Sequence, residues 1–242
     1  MASPSWSGSP SSTASATTRT LSAATWTAAS AASRCCGRRR PVARRSNKES
    51  LKRKTGGREY RDVCWVSAEG QTEKDYLRMD AFKGAPMAVK FPKDIHPDRR
   101  NPAAVLKRFQ KAMRTEDFRK GDEAWIVVDV DTWGDVEFAE LLSWAASDPR
   151  HHLAVSNPKF ELFLVMHFER GNGCTTPQKV DATLKRYWPR YDKRVNATRF
   201  SLDEVKSAVE AARMKRAGCQ DAIPAPGMTD AHLLVERLIE GM

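Results

Sequence analysis

Three acidic segments in this chain have the residue types and spacing for divalent-metal chemistry. Glu69-Gly70-Gln71-Thr72-Glu73 follows a short apolar run, Asp129-Val130-Asp131 follows a longer one, and Asn157-Pro158-Lys159-Phe160-Glu161 follows a third. In extended backbone, Asp129 and Asp131 project to the same side. If the first and third apolar runs are neighbouring strands, Glu69 converges on both aspartates. Carboxylates brought that close repel, and they need raised pKa values or a cation. Hard oxygen donors with no Cys or His pair beside them favour Mg²⁺ or Mn²⁺. Such a site can orient phosphate oxygens and activate water. Glu73 either stabilises the start of a helix through its dipole or contacts the metal. Asn157 is read as an N-cap or as a contact behind the site. Glu161 sits in an apolar stretch and needs a partner: Asn157, a base or the metal. Lys159 either meets phosphate or is solvated. His167, on the same stretch, is read as a core histidine or as a further contact behind the site. Adjacent His151 and His152 are read as surface.

The elements that would position these groups alternate strand and helix. Val63–Val66 suits a buried strand, and Thr72 with Asp75 predicts a capped helix that carries Tyr76, Leu77 and Phe82 and stops near Gly84. Met87–Val89 with Phe91 is a second strand. Asn101-Pro102 opens a helix bearing Val105, Leu106, Phe109 and Met113. Trp125–Val128 is the clearest strand; Gly134-Asp135 leads into a helix, and Leu153–Val155 is another strand. Phe160–Phe168, apolar nearly all round, predicts a buried helix. Ser201 and Glu204 form a capping box, residues 218–228 a loop, and Leu233–Ile239 a final amphipathic helix. The expectation is an α/β fold, a mainly parallel sheet with helices on both faces, plus C-terminal helices. Ligands of such sheets bind beyond the carboxyl ends of the strands. Trp65, Trp125, Trp144 and Trp188 are expected in or near the core.

Charge and composition narrow the function classes. The net charge of +11 is confined to the start of the chain, since residues 62–242 hold 28 basic and 28 acidic side chains. Residues 1–50 contain 28 Ser, Thr or Ala and eight Lys or Arg against one acid, a composition expected to stay disordered. It also resembles an Arg-rich transit peptide or translated upstream sequence, with Val42 as an alternative start. Lys52, Arg53, Lys54 and Arg58 form a basic lead-in that either holds a nucleic-acid backbone or is solvated. No apolar run is long enough to cross a bilayer. Five scattered cysteines without C-x-x-C spacing argue against a zinc ribbon or disulfide framework and fit a reducing cytoplasm.

These segments also resemble a known family. Ser50–Gly56, Glu69–Glu73, Asp129–Asp131, Ser156–Leu162 with His167-Phe168, and Thr229–Glu236 are similar to motifs of the RloB-like family, which includes an abortive-infection protein. The likeness spans roughly 50–242, with 1–49 as a tail, 62–170 as an α/β core and 171–242 as a helical part. It implies a bacterial protein encoded beside restriction–modification or phage-defence genes, with an ATPase partner. The order of E-G-x-T-E and D-x-D also looks like the Toprim fold of topoisomerases, primases and nucleases. By that likeness Glu69 handles the proton, and Asp129 and Asp131 hold Mg²⁺. The activity implied is a metal-dependent nuclease or nicking enzyme acting on DNA or RNA. The alternative is a non-catalytic adaptor that binds nucleic acid or the partner ATPase.

Overall fold

The computed structural model describes residues 61–92, 102–130 and 135–242, all within the unit that spans 56–242. The N-terminal tail, the basic residues Lys52, Arg53, Lys54 and Arg58, the Asn101 cap and Asp131 lie outside the described residues.

Five strands form one sheet: β1 (Val63–Ala68), β2 (Ala88–Lys90), β3 (Glu123–Asp129), β4 (His151–Asn157) and β5 (Met228–Thr229). Their order is β2-β1-β3-β4-β5, parallel except for β5, which runs antiparallel to β4. The helices are α1 (Gln71–Tyr76), α2 (Pro102–Met113), α3 (Asp135–Ala146), α4 (Glu161–Val165), α5 (Pro177–Tyr187), α6 (Leu202–Arg216) and α7 (Ala231–Ile239). The chain is therefore α/β with a mainly parallel sheet. Among the described residues, no helix is long and apolar enough to cross a membrane.

Period-two alternation divides the strands between two apolar layers. Cys64, Val66, Ala68, Trp125, Val127 and Ala154 face one layer, where α1, α4, α5, α6 and α7 bring Tyr76, Leu162, Phe163, Leu184, Val205 and Leu238. Trp65, Ala124, Ile126, Val128 and Val155 face the other, closed by Val105, Leu106 and Phe109 of α2 and Phe138, Leu141 and Trp144 of α3. Burial on both faces is why β1 and β3 read as continuous apolar runs rather than as alternating ones. The first layer draws on both the 62–170 and 171–242 stretches, and β5 joins the sheet through a buried Ser156–Thr229 hydroxyl contact of 2.8 Å.

Several local expectations are corrected. Thr72 does not cap α1: Gly70 takes the cap position, and the Thr72 hydroxyl donates to the Lys193 carbonyl at 3.0 Å. Asp75 instead receives Arg194 at 2.5 Å. The helix ends at Tyr76, and Phe82 belongs to a separate 3₁₀ turn. Of the Phe160–Phe168 stretch, residues 160–166 are buried and His167 and Phe168 half-buried, and only Glu161–Val165 is α-helical before it loosens into turns. His151 and His152 are not surface residues ahead of a strand. They lie in β4, half-buried, and stack on Trp144 at 4.4 Å and Trp125 at 4.5 Å. No helix was placed at α5 within the 171–242 part expected to be helical, and β5 begins at Met228, the end of the 218–228 stretch expected to be a loop. The Ser201–Glu204 capping box is formed, with Ser201 Oγ accepting from the Glu204 amide and Glu204 accepting from the Ser201 amide.

Candidate carboxylate site at the sheet switch point

Chain connections fix where a ligand site should open. From β1 the chain moves to one side to build β2, then crosses back to build β3 and β4 on the other. The direction of winding therefore reverses between β1 and β3, and crevices in open α/β sheets form at the carboxyl ends of such strands. Ala68 is level with Val127 in this pair, and Asp129 with Ser156 in the next. The ends of β1, β3 and β4 thus bring Glu69, Asp129 and the Asn157–Glu161 turn to one edge.

Glu69 continues the ladder past β1. Its amide donates to the Val127 carbonyl at 3.3 Å, and its Oε2 accepts the Asp129 amide at 3.4 Å. Asp129 terminates β3, and its carboxylate accepts the Phe160 amide while Oδ1 has no hydrogen-bond partner. Burial first, then the charges of Glu73, Glu69 and Glu161, push its pKa well above the usual carboxylate range. Glu73 lies in the first turn of α1, 4% exposed. Its carboxylate folds back over Gly70, where an added Cβ would stand 2.7 Å from Oε2. A side chain at position 70 would therefore displace this carboxylate. Glu73 Oε2 also lacks a partner. Burial, followed by the Glu161 and Glu69 charges, raises Glu73 to about 7 against the pull of its own backbone amide.

Glu161 opens α4 and is buried. Its need for a partner is met by the Tyr191 hydroxyl, which donates to Oε1 at 3.1 Å, with Lys159 Nζ 4.0 Å from Oε2. Lys159 is held chiefly by Asp181 at 2.5 Å. Tyr191 also contacts the Thr72 hydroxyl at 3.1 Å and so ties α4 to α1. Burial and the Glu161 charge keep its phenol protonated. Sequence reasoning missed Tyr191 and Thr72. Tyr191 is 30 residues from Glu161 and lies in a segment without periodicity, where an aromatic within a basic run was the one signal available.

Two candidates stand elsewhere. The Asn157 amide donates to the Pro224 carbonyl at 2.8 Å, and its own carbonyl accepts Gly227, so it anchors the loop before β5. His167 bonds the Tyr76 hydroxyl at 3.1 Å and the Phe163 carbonyl at 3.0 Å and stacks on Phe200 at 3.9 Å. Burial lowers it to about 4, so it is a neutral core histidine.

Whether this donor set suits a cation follows from its unmet needs. Buried polar atoms are normally paired, yet one oxygen each of Glu73 and Asp129 is not. All the donors are hard oxygens, which suits Mg²⁺ or Mn²⁺ rather than zinc. Among the described residues, no three His, Cys, Asp or Glu side chains already stand as a metal-holding group. Asp131 would be the next donor along the chain.

The family model described as RloB-like protein matches residues 64–238. That span contains Glu69, Glu73, Asp129, Lys159 and Glu161, and leaves out the basic lead-in at 52–58. Neither a curated protein nor a solved structure matches the chain. With 175 of its 242 residues inside the match, the chain belongs to the RloB-like family.

Proposed function

We propose that this protein is a divalent-metal-dependent phosphodiesterase, a nuclease or nicking enzyme of a bacterial restriction-associated or phage-defence system. The observation that carries the reading is the pair of unpartnered carboxylate oxygens, Glu73 Oε2 and Asp129 Oδ1, at the switch point of the sheet. Family membership supports the defence setting. Asp129 and Glu73, with Asp131, would hold Mg²⁺ or Mn²⁺. When bound, the ion would neutralise phosphate charge and lower the pKa of water. Glu69, whose carboxylate is positioned by the Asp129 amide, would take or give the proton at the reacting oxygen. Tyr191 and Lys159 would keep Glu161 oriented behind them.

The test uses the full chain with Asp129→Asn and Glu73→Gln, on supercoiled DNA and on single-stranded RNA, in Mg²⁺, Mn²⁺ and EDTA. The expected result is metal-dependent cleavage by the native chain, reduced at least about 100-fold in Asp129→Asn, on the scale of losing one charge-stabilising group.

A second reading uses family membership alone, which carries no activity of its own. On that reading the protein is a non-catalytic adaptor for nucleic acid or for an ATPase partner. No cleavage of either polymer by a folded chain that binds Mn²⁺ would select it.

A further inference from the structure

Residues 62–242 are neutral as a whole, but 179–199 hold seven Lys or Arg against two Asp. This basic segment is fastened to the rim of the carboxylate site. Tyr191 bonds Glu161 and Thr72, the Lys193 carbonyl accepts Thr72, and Arg194 pairs with Asp75 at 2.5 Å. Lys193 takes φ +65°, a left-handed conformation uncommon for a lysine. That conformation gives its carbonyl to Thr72 while the side chain stays exposed. Lys185, Arg190 and Lys193 are exposed and have no ion-pair partner among the described residues.

Aromatic rings are interleaved with these charges. Tyr187 is 42% exposed, stacks parallel on Phe168 (3° apart at 5.2 Å) and donates its hydroxyl to Glu169 at 2.7 Å, so the ring is held in place with one face open. Beneath it Arg199 packs over Trp188 at 4.4 Å and Phe200 at 4.7 Å. Cations that follow a backbone, next to a fixed ring on which a base can stack, are the parts of a single-strand binding surface. A duplex would give Tyr187 no unstacked base, and this short run of charge is too small for tight duplex binding by counterion release.

We propose that residues 185–194 bind single-stranded nucleic acid, with backbone phosphates on Lys185, Arg190 and Lys193 and a base on Tyr187, and lead the strand across the carboxylate site. The inference deepens the phosphodiesterase reading and rests on it only for what happens to the strand once bound.

The experiment is fluorescence anisotropy with the full chain in EDTA, using labelled 16-nucleotide oligo-dT and oligo-U and a 16-base-pair duplex. The variants are Lys185→Gln/Arg190→Gln/Lys193→Asn (asparagine tolerates the left-handed backbone), Tyr187→Ala, Tyr187→Phe, and a lead-in variant with Lys52, Arg53, Lys54 and Arg58 changed to Gln. Loss of three phosphate contacts should reduce the slope of log K against log salt by about 2 and weaken single-strand binding about 100-fold at 0.1 M salt. Tyr187→Ala should weaken it about tenfold, and Tyr187→Phe should restore it. The proposal is overturned if the triple variant binds as the native chain does, if only the lead-in variant loses binding, or if duplex binds as tightly as single strand. Tyr187→Ala, a surface change, decides alone if the triple variant does not fold. Single-strand binding without cleavage in Mg²⁺ would sink the phosphodiesterase reading alone; cleavage with an unchanged KM in the triple variant would sink this one alone.

Discussion

Replacing Glu73 by Gln should stabilise the metal-free protein at neutral pH. Glu73 is 4% exposed, and its carboxyl is raised from 4.5 to about 7, first by burial and then by the charges of Glu161 and Glu69. Between those two values the folded state binds the proton and the unfolded state does not. Linkage then makes stability fall as pH rises through that window, with the full penalty present above pH 7. A shift of this size corresponds to about 3 kcal/mol. Buried histidines act in the opposite sense. His167 is lowered from 6.5 to about 4, and His152 and His232 are lowered too. Their unfolded forms are the better proton binders, so they add stability as pH rises toward 6.5, for His167 from about 4, and nothing further above it. The raw pH profile of the native chain is therefore a partial cancellation, and the difference between native and Glu73→Gln isolates the carboxylate. Asp129 adds to that difference, because the Glu73 charge is among the causes of its raised pKa.

The assay is thermal and urea unfolding of both proteins in EDTA at half-unit steps from pH 5 to 8. Glu73→Gln should exceed the native chain by less than about 1 kcal/mol near pH 5 and by about 3 kcal/mol above pH 7, or roughly 6–12 °C in Tm for a domain of this size. A difference that stays flat within about 0.5 kcal/mol across pH 5–8, or a variant less stable at pH 8, would refute the reasoning.

Three further outcomes follow from the same structure. Saturating Mn²⁺ at pH 7.5 should stabilise the native chain by about 2.7 kcal/mol at one hundred times Kd, read as a higher Tm, and Asp129→Asn should lose most of that gain; an equal rise in both would remove Asp129 from the ligand set. Thr229→Val leaves the buried Ser156 hydroxyl without its 2.8 Å partner and should cost about 1–3 kcal/mol in urea unfolding, a loss absent if β5 does not pair with β4. Ser201→Ala removes one half of the capping box on α6 and should cost about 1 kcal/mol, visible as a lower urea midpoint with an unchanged m-value.

What could be read before the structure was set by how local each signal is. Strands β1 and β3 were legible because both of their faces are buried and their apolar runs are unbroken. The meeting of Glu69 with Asp129 followed from the parallel pairing of β1 with β3, in which Ala68 is level with Val127. The α1 cap was misread because Thr72 is drawn away by Lys193, 121 residues along the chain. No window of sequence contains that contact. The α5 helix was missed because only Val180, Thr183 and Leu184 of its eleven residues are buried, which is too few for a clear apolar stripe. His151 and His152 look polar in a sequence, yet each lies flat on a tryptophan. Tyr191 reaches Glu161 through a segment with neither helical nor strand periodicity.

The carboxylate site departs from the pairing seen at most buried polar groups of the fold, although Trp65 Nε1 and Arg199 Nε are unpartnered too. On either side of the sheet the two apolar layers are continuous, and other buried polar groups such as Ser156, Thr229 and Asp230 are paired. At the ends of β1 and β3 the same chain places Glu69, Glu73, Asp129 and Glu161 within range of one another's charge and leaves two of their oxygens unpartnered. A core residue in place of Glu73 would remove that repulsion, and Tyr76 of α1 and Leu77 just after it show that apolar side chains fit this layer. Like charges held together against their own repulsion are stable only with a counter-charge or a proton. On the proposed reading the unpartnered oxygens would take the cation, and the basic segment anchored through Tyr191 would bring a polyanion to it.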